Sequence, residues 1–486
     1  MRLRPAVLDP LVVGVLAAAV SLAGAARPSF WYDEAATISA SYSRSLPALW
    51  QMLGNVDAVH GLYYLVMHGW FQLFPPTEFW SRAPSGLAVG AAAAGVVVLA
   101  KQFSSRTVAV SAGVICGILP RSTWAGIEAR PYAMTMAAAV WLTVLFVHAL
   151  RRDDARIWVA YGVAFAVSTL LDIYLALMLL AHITFLCLYR PGRKTVLRFG
   201  VAAGLATLAL GPFVREAFGQ VHQIVWIAPV GRRTLEDVAI QQYFERSPPF
   251  TIVSVLVVAT AVAVWLFTSA SPDRQLLALA AAWLILPTSV ILLWSTVVNP
   301  IYTPRYLCFT APAVALALGV CIGALAVKPW LAVAVVSVLA VAAVPNYLLV
   351  QRGPYAKYGM DYSQVADLIT AKAAAGDCLL VNDTVTFMPA PMRPLLAARP
   401  DAYRKLVDLS LWQRATDLND VFDTNLIPEA TAGPLSDCRV VWIITQADTS
   451  DQRFSDTPAY AVPNSLGFRF VDRWSFHLVQ VIKATK

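Results

Sequence analysis

Residues 8–35 read LDPLVVGVLAAAVSLAGAARPSFWYDEA, an apolar run that ends on an acidic pair set among aromatics. The run, about residues 8–26, is long enough to cross a bilayer core, for which roughly 20 apolar residues suffice. Ala-rich ends are common in membrane helices, so the run carries no convincing cleavage signal and is expected to stay as the first span. Directly after it comes Phe30-Trp31-Tyr32-Asp33-Glu34-Ala35. Aromatics suit the belt at a membrane surface, but adjacent carboxylates at that depth are costly. Asp33 and Glu34 are either solvated loop acids or a working pair, with uses as a base or as cation ligands.

The rest of the chain agrees with a bilayer as solvent. Of 486 residues 58% are hydrophobic and only 14% charged, too apolar for an ordinary water-soluble globule. The net charge of +8 does not point to nucleic acid, because the Lys and Arg residues sit in short clusters between apolar runs. Further spans are expected at about 81–101, 106–122, 131–150, 156–171, 173–190, 194–213, 250–270, 276–297, 306–327 and 330–350, which makes eleven. The run 156–190 is too long for one helix and is divided at Asp172. The stretch Gly61 to Phe74 is 14 residues long and carries His68, which suits an interfacial helix better than a span.

Loop charges orient the bundle. Arg2, Arg4, Lys101, Arg106, Arg151, Arg152, Arg156, Arg190, Arg193, Lys194, Arg198, Arg274 and Lys328 all fall on one side of this count, which is therefore cytoplasmic. The opposite face receives loops 27–80, 123–130, 214–249 and 298–305 and everything after Val350. The expected class is an α-helical polytopic membrane protein in the plasma membrane, with its N-terminus cytoplasmic and a small α/β domain outside. Its division is a transmembrane module over 1–350, with outer loops 27–80 and 214–249, and a soluble domain over 351–486.

In that last domain strands are expected at 378–381, 439–444 and 477–482, and a helix over Ser363 to Ala375. Cys116, Cys187, Cys308 and Cys321 lie in apolar segments as small core residues. Cys378 and Cys438 each open a strand-like run, so neighbouring strands would bring them within disulfide reach in an oxidising compartment.

Charged and aromatic residues recur on the outer face. After Asp33-Glu34 come His60-Gly61-Leu62-Tyr63-Tyr64, then Arg82-Ala83-Pro84-Ser85, Glu128-Ala129-Arg130-Pro131-Tyr132, and Tyr302-Thr303-Pro304-Arg305-Tyr306-Leu307. Over roughly residues 8–350 this succession resembles the GT-C class of membrane glycosyltransferases, in particular the superfamily of protein O-mannosyltransferases and aminoarabinose transferases. One element departs from the usual form: Gly61 and Leu62 follow His60 where prolines are common.

The resemblance implies a GT-C-like fold, a sugar donor carried on polyprenyl phosphate, and inversion at the anomeric carbon. Residue chemistry agrees. Asp33 is suited to be the general base, with Glu34 orienting loop or acceptor. Arg130 and Arg305 suit the departing phosphate, because a guanidinium binds phosphate oxygens bidentately; their other use is to pair with lipid headgroups or with Glu128. His60, Tyr63, Tyr64, Glu128, Tyr132 and Tyr306 complete the expected substrate-binding set. In some relatives a divalent cation lies near the position of His60. Here His60 and His222 are the available imidazoles, without metal-ligand spacing, so no cofactor is assigned.

Loop 214–249, with Trp226, Tyr243 and Phe244 beside Arg232, Arg233, Glu236 and Asp237, is either a gate over the donor or an ordinary interfacial loop. The Ala, Val and Arg richness looks like that of high-GC actinobacteria, which puts mannose ahead of arabinose. The acceptor is a lipid, glycan or protein of the cell envelope. The competing classes are a transporter or flippase of lipid-linked sugars and a non-catalytic envelope scaffold. A transporter would bury its charges near the midplane in repeated broken helices, and no internal repeat is visible here.

Overall fold

The computed structural model describes residues 5–268, 273–382, 392–447 and 458–486. The chain forms two compact units, one of Met1–Ala25, Ala58–Tyr63 and Arg82–Gln351, the other of Ala26–Asp57, Tyr64–Ser81 and Arg352–Lys486.

The first unit is a helical bundle of a multi-pass membrane protein. Among the described residues six helices are long and apolar enough to cross a bilayer: Glu78–Ala100, Tyr132–Arg152, Pro248–Phe267, Arg274–Val297, Pro304–Leu325 and Pro329–Gln351. A seventh span results if Arg193–Ala209 and Gly211–Gly219, bent by 46°, count as one. The remaining expected spans coincide with shorter apolar helices, Val7–Leu22, Arg106–Ile118, Ala155–Leu171 and Ile173–Tyr189. Residues 269–270, at the end of one expected span, lie outside the described residues.

Two contacts show how polar and small residues set this packing. Asp9, buried near the start of the first helix, accepts from Lys101 Nζ at 2.7 Å and from Arg106 Nη2 at 2.7 Å and Nε at 2.8 Å. Asp9, Lys101 and Arg106 thus pair at one end of the bundle. Where the first helix crosses Glu78–Ala100, a Cβ on Gly90 would stand 2.6 Å from the Gly14 carbonyl oxygen and 2.8 Å from Ala18 Cβ. Only glycine permits that approach, and dispersion between closely packed backbones is what associates helices in lipid.

The second unit holds a five-stranded sheet in the order β2-β1-β3-β5-β4, with β1 Cys378–Val381, β2 Val407–Asp408, β3 Val440–Gln446, β4 Arg469–Ser475 and β5 Val479–Thr485. Strand β1 runs parallel to β2 and β3, whereas β5 is antiparallel to β3 and β4. The expected helix appears as Tyr362–Lys372. Cys378 and Cys438 are joined, with Cα atoms 6.2 Å apart across a separation of 60 residues. Closing a loop of that length removes unfolded-chain entropy equivalent to about 4 kcal/mol in the chain-entropy account. Of the apolar-segment cysteines, Cys116, Cys308 and Cys321 are buried, but Cys187 faces outward.

The loop after the first helix packs within this second unit. Ser29 and Ser363 exchange reciprocal bonds: Ser363 N donates to Ser29 Oγ at 3.0 Å, while Ser363 Oγ accepts from Phe30 N at 3.0 Å. Trp31 meets Tyr358 at 4.5 Å between ring centroids, and Tyr32 meets Phe422 at 5.1 Å. Ser39 Oγ donates to the Val421 carbonyl at 2.5 Å, Arg44 donates to the Asp420 carbonyl, and Glu78 pairs with Arg399 at 2.6 Å. The acid-bearing segment is thereby held from several sides by residues more than 300 positions away.

Candidate active site

Asp33 and Glu34 occupy the first turn of the helix Tyr32–Ser41. A carboxylate is favoured there by the unpaired N–H groups and the positive end of the helix dipole. Neighbouring helical positions point about 100° apart. Glu34 accordingly turns into the unit and is 0% exposed, whereas Asp33 stays half-buried. Tyr64 belongs to the same unit and is buried, and its hydroxyl donates to Asp57 Oδ2 at 2.6 Å. Asp57 itself has a left-handed φ of 59°.

The first unit collects most of the other expected residues. His60 ends the short 3₁₀ turn Ala58–His60, and Gln220 secures that turn by accepting from Ala58 N at 2.9 Å. Gly61–Phe71 follows as the expected short helix, with Tyr63 buried. Arg130 Nη2 stands 2.7 Å from His60 Nε2. Burial, reinforced by the charges of Arg130 and Arg305, holds the His60 imidazole well below its usual pKa. The ring is therefore neutral, its Nε2 accepts from the guanidinium, and the ring proton belongs on Nδ1.

The segment carrying Arg130 is fixed by the Arg82–Ser85 motif. Ser85 Oγ donates to the Glu128 carbonyl at 2.6 Å, and Arg82 Nη1 to the Ala25 carbonyl at 2.7 Å. Both motif residues are buried, so they brace the loop. Glu128 is fully buried, and Tyr132 is 1% exposed. On the Pro304–Thr310 turn, Arg305 lies over the Trp226 ring at 5.1 Å and over Tyr306 at 5.7 Å, a cation–π arrangement. Tyr306 packs on Tyr132 at 6.3 Å and stacks on Tyr174 at 5.7 Å.

Sequence reading passed over Asp172, using it only to divide a long apolar run. It is the C-cap of Ala155–Leu171 and the N-cap of Ile173–Leu177, with Oδ1 accepting from Tyr174 N at 2.9 Å. Burial pushes its carboxyl up to about 7, against the Tyr174 N–H and the Arg130 charge, which both draw it down. A lone acid in an apolar stretch was the available signal.

Loop 214–249 folds into short helical turns. Tyr243 and Phe244, expected on its surface, are buried instead. Arg121, 2% exposed, pairs with Glu245 and donates through Nε to the Gln242 carbonyl at 3.1 Å. The side chain of Gln242 bonds Tyr243, Thr288 and Tyr302. The exposed aromatic of this loop that reaches the expected site is Trp226. His222 is exposed in the turn Val221–Ile224.

Two guanidinium charges acting on one buried, neutral imidazole favour an anion. Among the described residues no group of three or more His, Cys, Asp or Glu is placed to hold a metal ion.

Comparison with known proteins bears on the whole assembly. Residues 60–215 match the family described as dolichyl-phosphate-mannose-protein mannosyltransferase, a stretch that contains His60, Arg130 and Asp172. The crystal structure of ArnT from Cupriavidus metallidurans in the apo state superposes with a TM-score of 0.63 at 14% identity, covering 97% of each chain. The fold is GT-C. The same protein bound to undecaprenyl phosphate gives a TM-score of 0.56 at 13% identity, again over 97% of each chain. No curated protein matches the sequence. The GT-C resemblance carried by the sequence motifs thus holds for the fold along nearly the full chain, and the family match lies on residues 60–215.

Proposed function

We propose that this GT-C protein is an inverting glycosyltransferase that moves a sugar from a polyprenyl-phosphate donor to a lipid, glycan or protein acceptor of the cell envelope. The observation that carries the reading is the arrangement at His60, where Arg130, like His60 inside the matched stretch 60–215, meets a neutral imidazole on which the charge of Arg305 also acts. In this reading Arg130, Arg305 and His60 hold the donor phosphate. Tyr63, Tyr132 and Tyr306 line it, Glu128 and Tyr64 keep the loops in place, and Asp33 is the base with Glu34 beside it.

The chemistry follows from those roles. The acceptor hydroxyl oxygen bonds to the anomeric carbon while the bond from that carbon to the phosphate oxygen breaks. Its electron pair leaves with polyprenyl phosphate, and the hydroxyl proton passes to the Asp33 carboxylate. The arginines stabilise the charge that develops on the leaving phosphate. ArnT, which shares the fold, has been crystallised with undecaprenyl phosphate, and this supports a lipid phosphate as the leaving group. Mannose is proposed ahead of arabinose.

Incubating the purified protein with a panel of polyprenyl-phosphate sugars and an envelope extract as acceptor is expected to release polyprenyl phosphate from one of them, the mannose-linked donor first. Failure of every donor to release it above a heat-inactivated control would sink the transferase reading.

Eleven spans are proposed, the shorter apolar helices included, with the N-terminus cytoplasmic and the disulfide-bearing domain outside. The clustered Lys and Arg residues support that orientation. A periplasm-active reporter fused after Lys486 is expected to be active, and a reporter active only in the cytoplasm would reverse the topology.

A further inference from the structure

The helices Ala155–Leu171 and Arg193–Ala209 begin at the same end of the first unit, where Arg198 pairs with Asp153 at 3.1 Å. They approach closely at Gly162, where a Cβ would stand 2.9 Å from the Ala202 carbonyl oxygen. Between them runs a groove of about 510 Å³, bounded by Trp158, Val159, Val163, Leu197, Val201 and Leu205. Arg198 is the one charged residue in its lining. Val159, Val163, Leu197, Val201 and Leu205 are each more than half exposed, so the protein itself does not fill it.

The length of the groove and the charges at its end limit what can occupy it. From Ala155 to Ala166 the lined part of the first helix rises about 17 Å, against roughly 15 Å for half of a bilayer core. At the end where both helices begin, Arg156 stands three positions before Val159, Arg193 four before Leu197, and Lys194 four before Arg198. Side chains three and four apart share a helix face, so all three cations stand on the grooved faces, at the rim. They are exposed and form no ion pair among the described residues. The neighbouring acids are used otherwise: Asp153 holds Arg198, and Asp154 Oδ1 accepts from Arg156 N at 2.7 Å as the cap of its own helix.

We propose that this groove is a binding site for an anionic phospholipid, with one acyl chain along the apolar lining and the phosphodiester held by Arg156, Arg193 and Lys194. The apolar lining is one leaflet long and ends on cations that lack a carboxylate partner, which is the pattern of such a lipid. A zwitterionic headgroup brings a cation of its own and gains less there. The donor lipid is a different ligand in a different place. Ala155–Leu171 leads at its far end through Tyr174, which stacks on Tyr306 at 5.7 Å, to the turn that carries Arg305. Its 17 residues put about 25 Å of helix between the basic rim and that turn, too far for one phosphate to serve both. The proposal therefore stands apart from the sugar-transfer reading.

The test uses the full-length protein in phosphatidylcholine nanodiscs that carry a trace of phosphatidylglycerol with a photoactivatable diazirine in its acyl chain. Irradiation and peptide mass spectrometry are expected to find the label on residues 155–166 and 197–209. Unlabelled phosphatidylglycerol should displace it while still a small fraction of the surrounding phosphatidylcholine. A cation near an anionic lipid contributes about fivefold in affinity, so replacing Arg156, Arg193 and Lys194 together by Gln should weaken that displacement roughly a hundredfold. Val163→Trp, at an exposed position, should remove the label from the groove and leave other labelling as it was. Label spread evenly over the lipid-facing helices, or displaced no better by phosphatidylglycerol than by more phosphatidylcholine, would mean bulk lipid only and overturn the proposal. Displacement by undecaprenyl phosphate in preference to phosphatidylglycerol would also overturn it, by giving the groove to the donor's tail. The competition on the native protein needs no variant, so it decides the matter even if a variant does not fold.

Discussion

Asp33→Asn is expected to lower sugar transfer by about 10²–10⁴-fold, the usual cost of a lost general base, while donor affinity stays nearly unchanged. Asparagine keeps the size of aspartate and its hydrogen bonding at the helix N-terminus, so the Tyr32–Ser41 helix should remain as it is. It cannot accept the acceptor's proton. The choice of Asp33 over its neighbour comes from burial: Glu34 is 0% exposed and turned into its unit, whereas Asp33 is half-buried and reachable by a hydroxyl. Glu34→Gln should therefore act on the stability or position of the helix more than on proton transfer. Turnover and undecaprenyl phosphate affinity measured on the same preparation separate the two roles. Near-native turnover in Asp33→Asn would remove it as the base and bring back the transporter and scaffold readings.

Arg130→Ala should do the converse at the donor, weakening binding of undecaprenyl phosphate by roughly ten- to more than a hundredfold. That range corresponds to the loss of charge-assisted hydrogen bonds worth about 1.5–3 kcal/mol. The substitution also leaves His60 Nε2 without the donor that now stands 2.7 Å away. Arg305→Ala should weaken binding less, because Arg305 is only half-buried and spends part of its interaction on the Trp226 and Tyr306 rings. Arg130→Lys restores the charge but not the planar fork, so it should recover part of the affinity. Native affinity in Arg130→Ala would show that the phosphate is gripped elsewhere.

What the sequence discloses of this fold is set by how local the signal is. Apolar runs mark where helices lie, and the division at Asp172 reappears as a true break between Leu171 and Ile173. Run length does not mark how many helices reach the full bilayer thickness. Arg106–Ile118 and Ala155–Leu171 end early at Leu119 and Asp172, and the span after Arg193 bends at Leu210 before Gly211 and Pro212. In the second unit β1, β3 and β5 stand out as buried apolar runs. Strand β4, Arg469–Ser475, has mostly exposed positions as an edge strand does, and β2 is two residues long, so neither betrays itself.

The candidate site is legible in composition but not in pairing. Each of His60, Arg130 and Arg305 drew notice because a charged or polar residue at a membrane surface is costly. That Arg130 meets His60, 70 positions earlier, follows from the Ser85 and Arg82 contacts, which no periodicity announces. The buried state of Tyr243 and Phe244 depends likewise on Arg121, an arginine on the short helix Pro120–Ala125 that the loop pattern gives no reason to single out.

The second unit is assembled from three stretches, Ala26–Asp57, Tyr64–Ser81 and Arg352–Lys486, which alternate in sequence with those of the first. Ribosomal synthesis is directional, so the helix bearing Asp33 emerges soon after the first helix, whereas Ser363, Tyr358, Val421 and Arg399 are made more than 300 residues later. At about 5–20 residues per second, the roughly 300 residues between the two ends occupy on the order of 15–60 seconds. Throughout that interval the acidic helix exists without the residues that clasp it, and Cys378 has no partner until Cys438 follows. Completion of the second unit therefore waits on the synthesis of Arg352–Lys486, and an mRNA cut short before that stretch would yield a bundle whose proposed base has no seat.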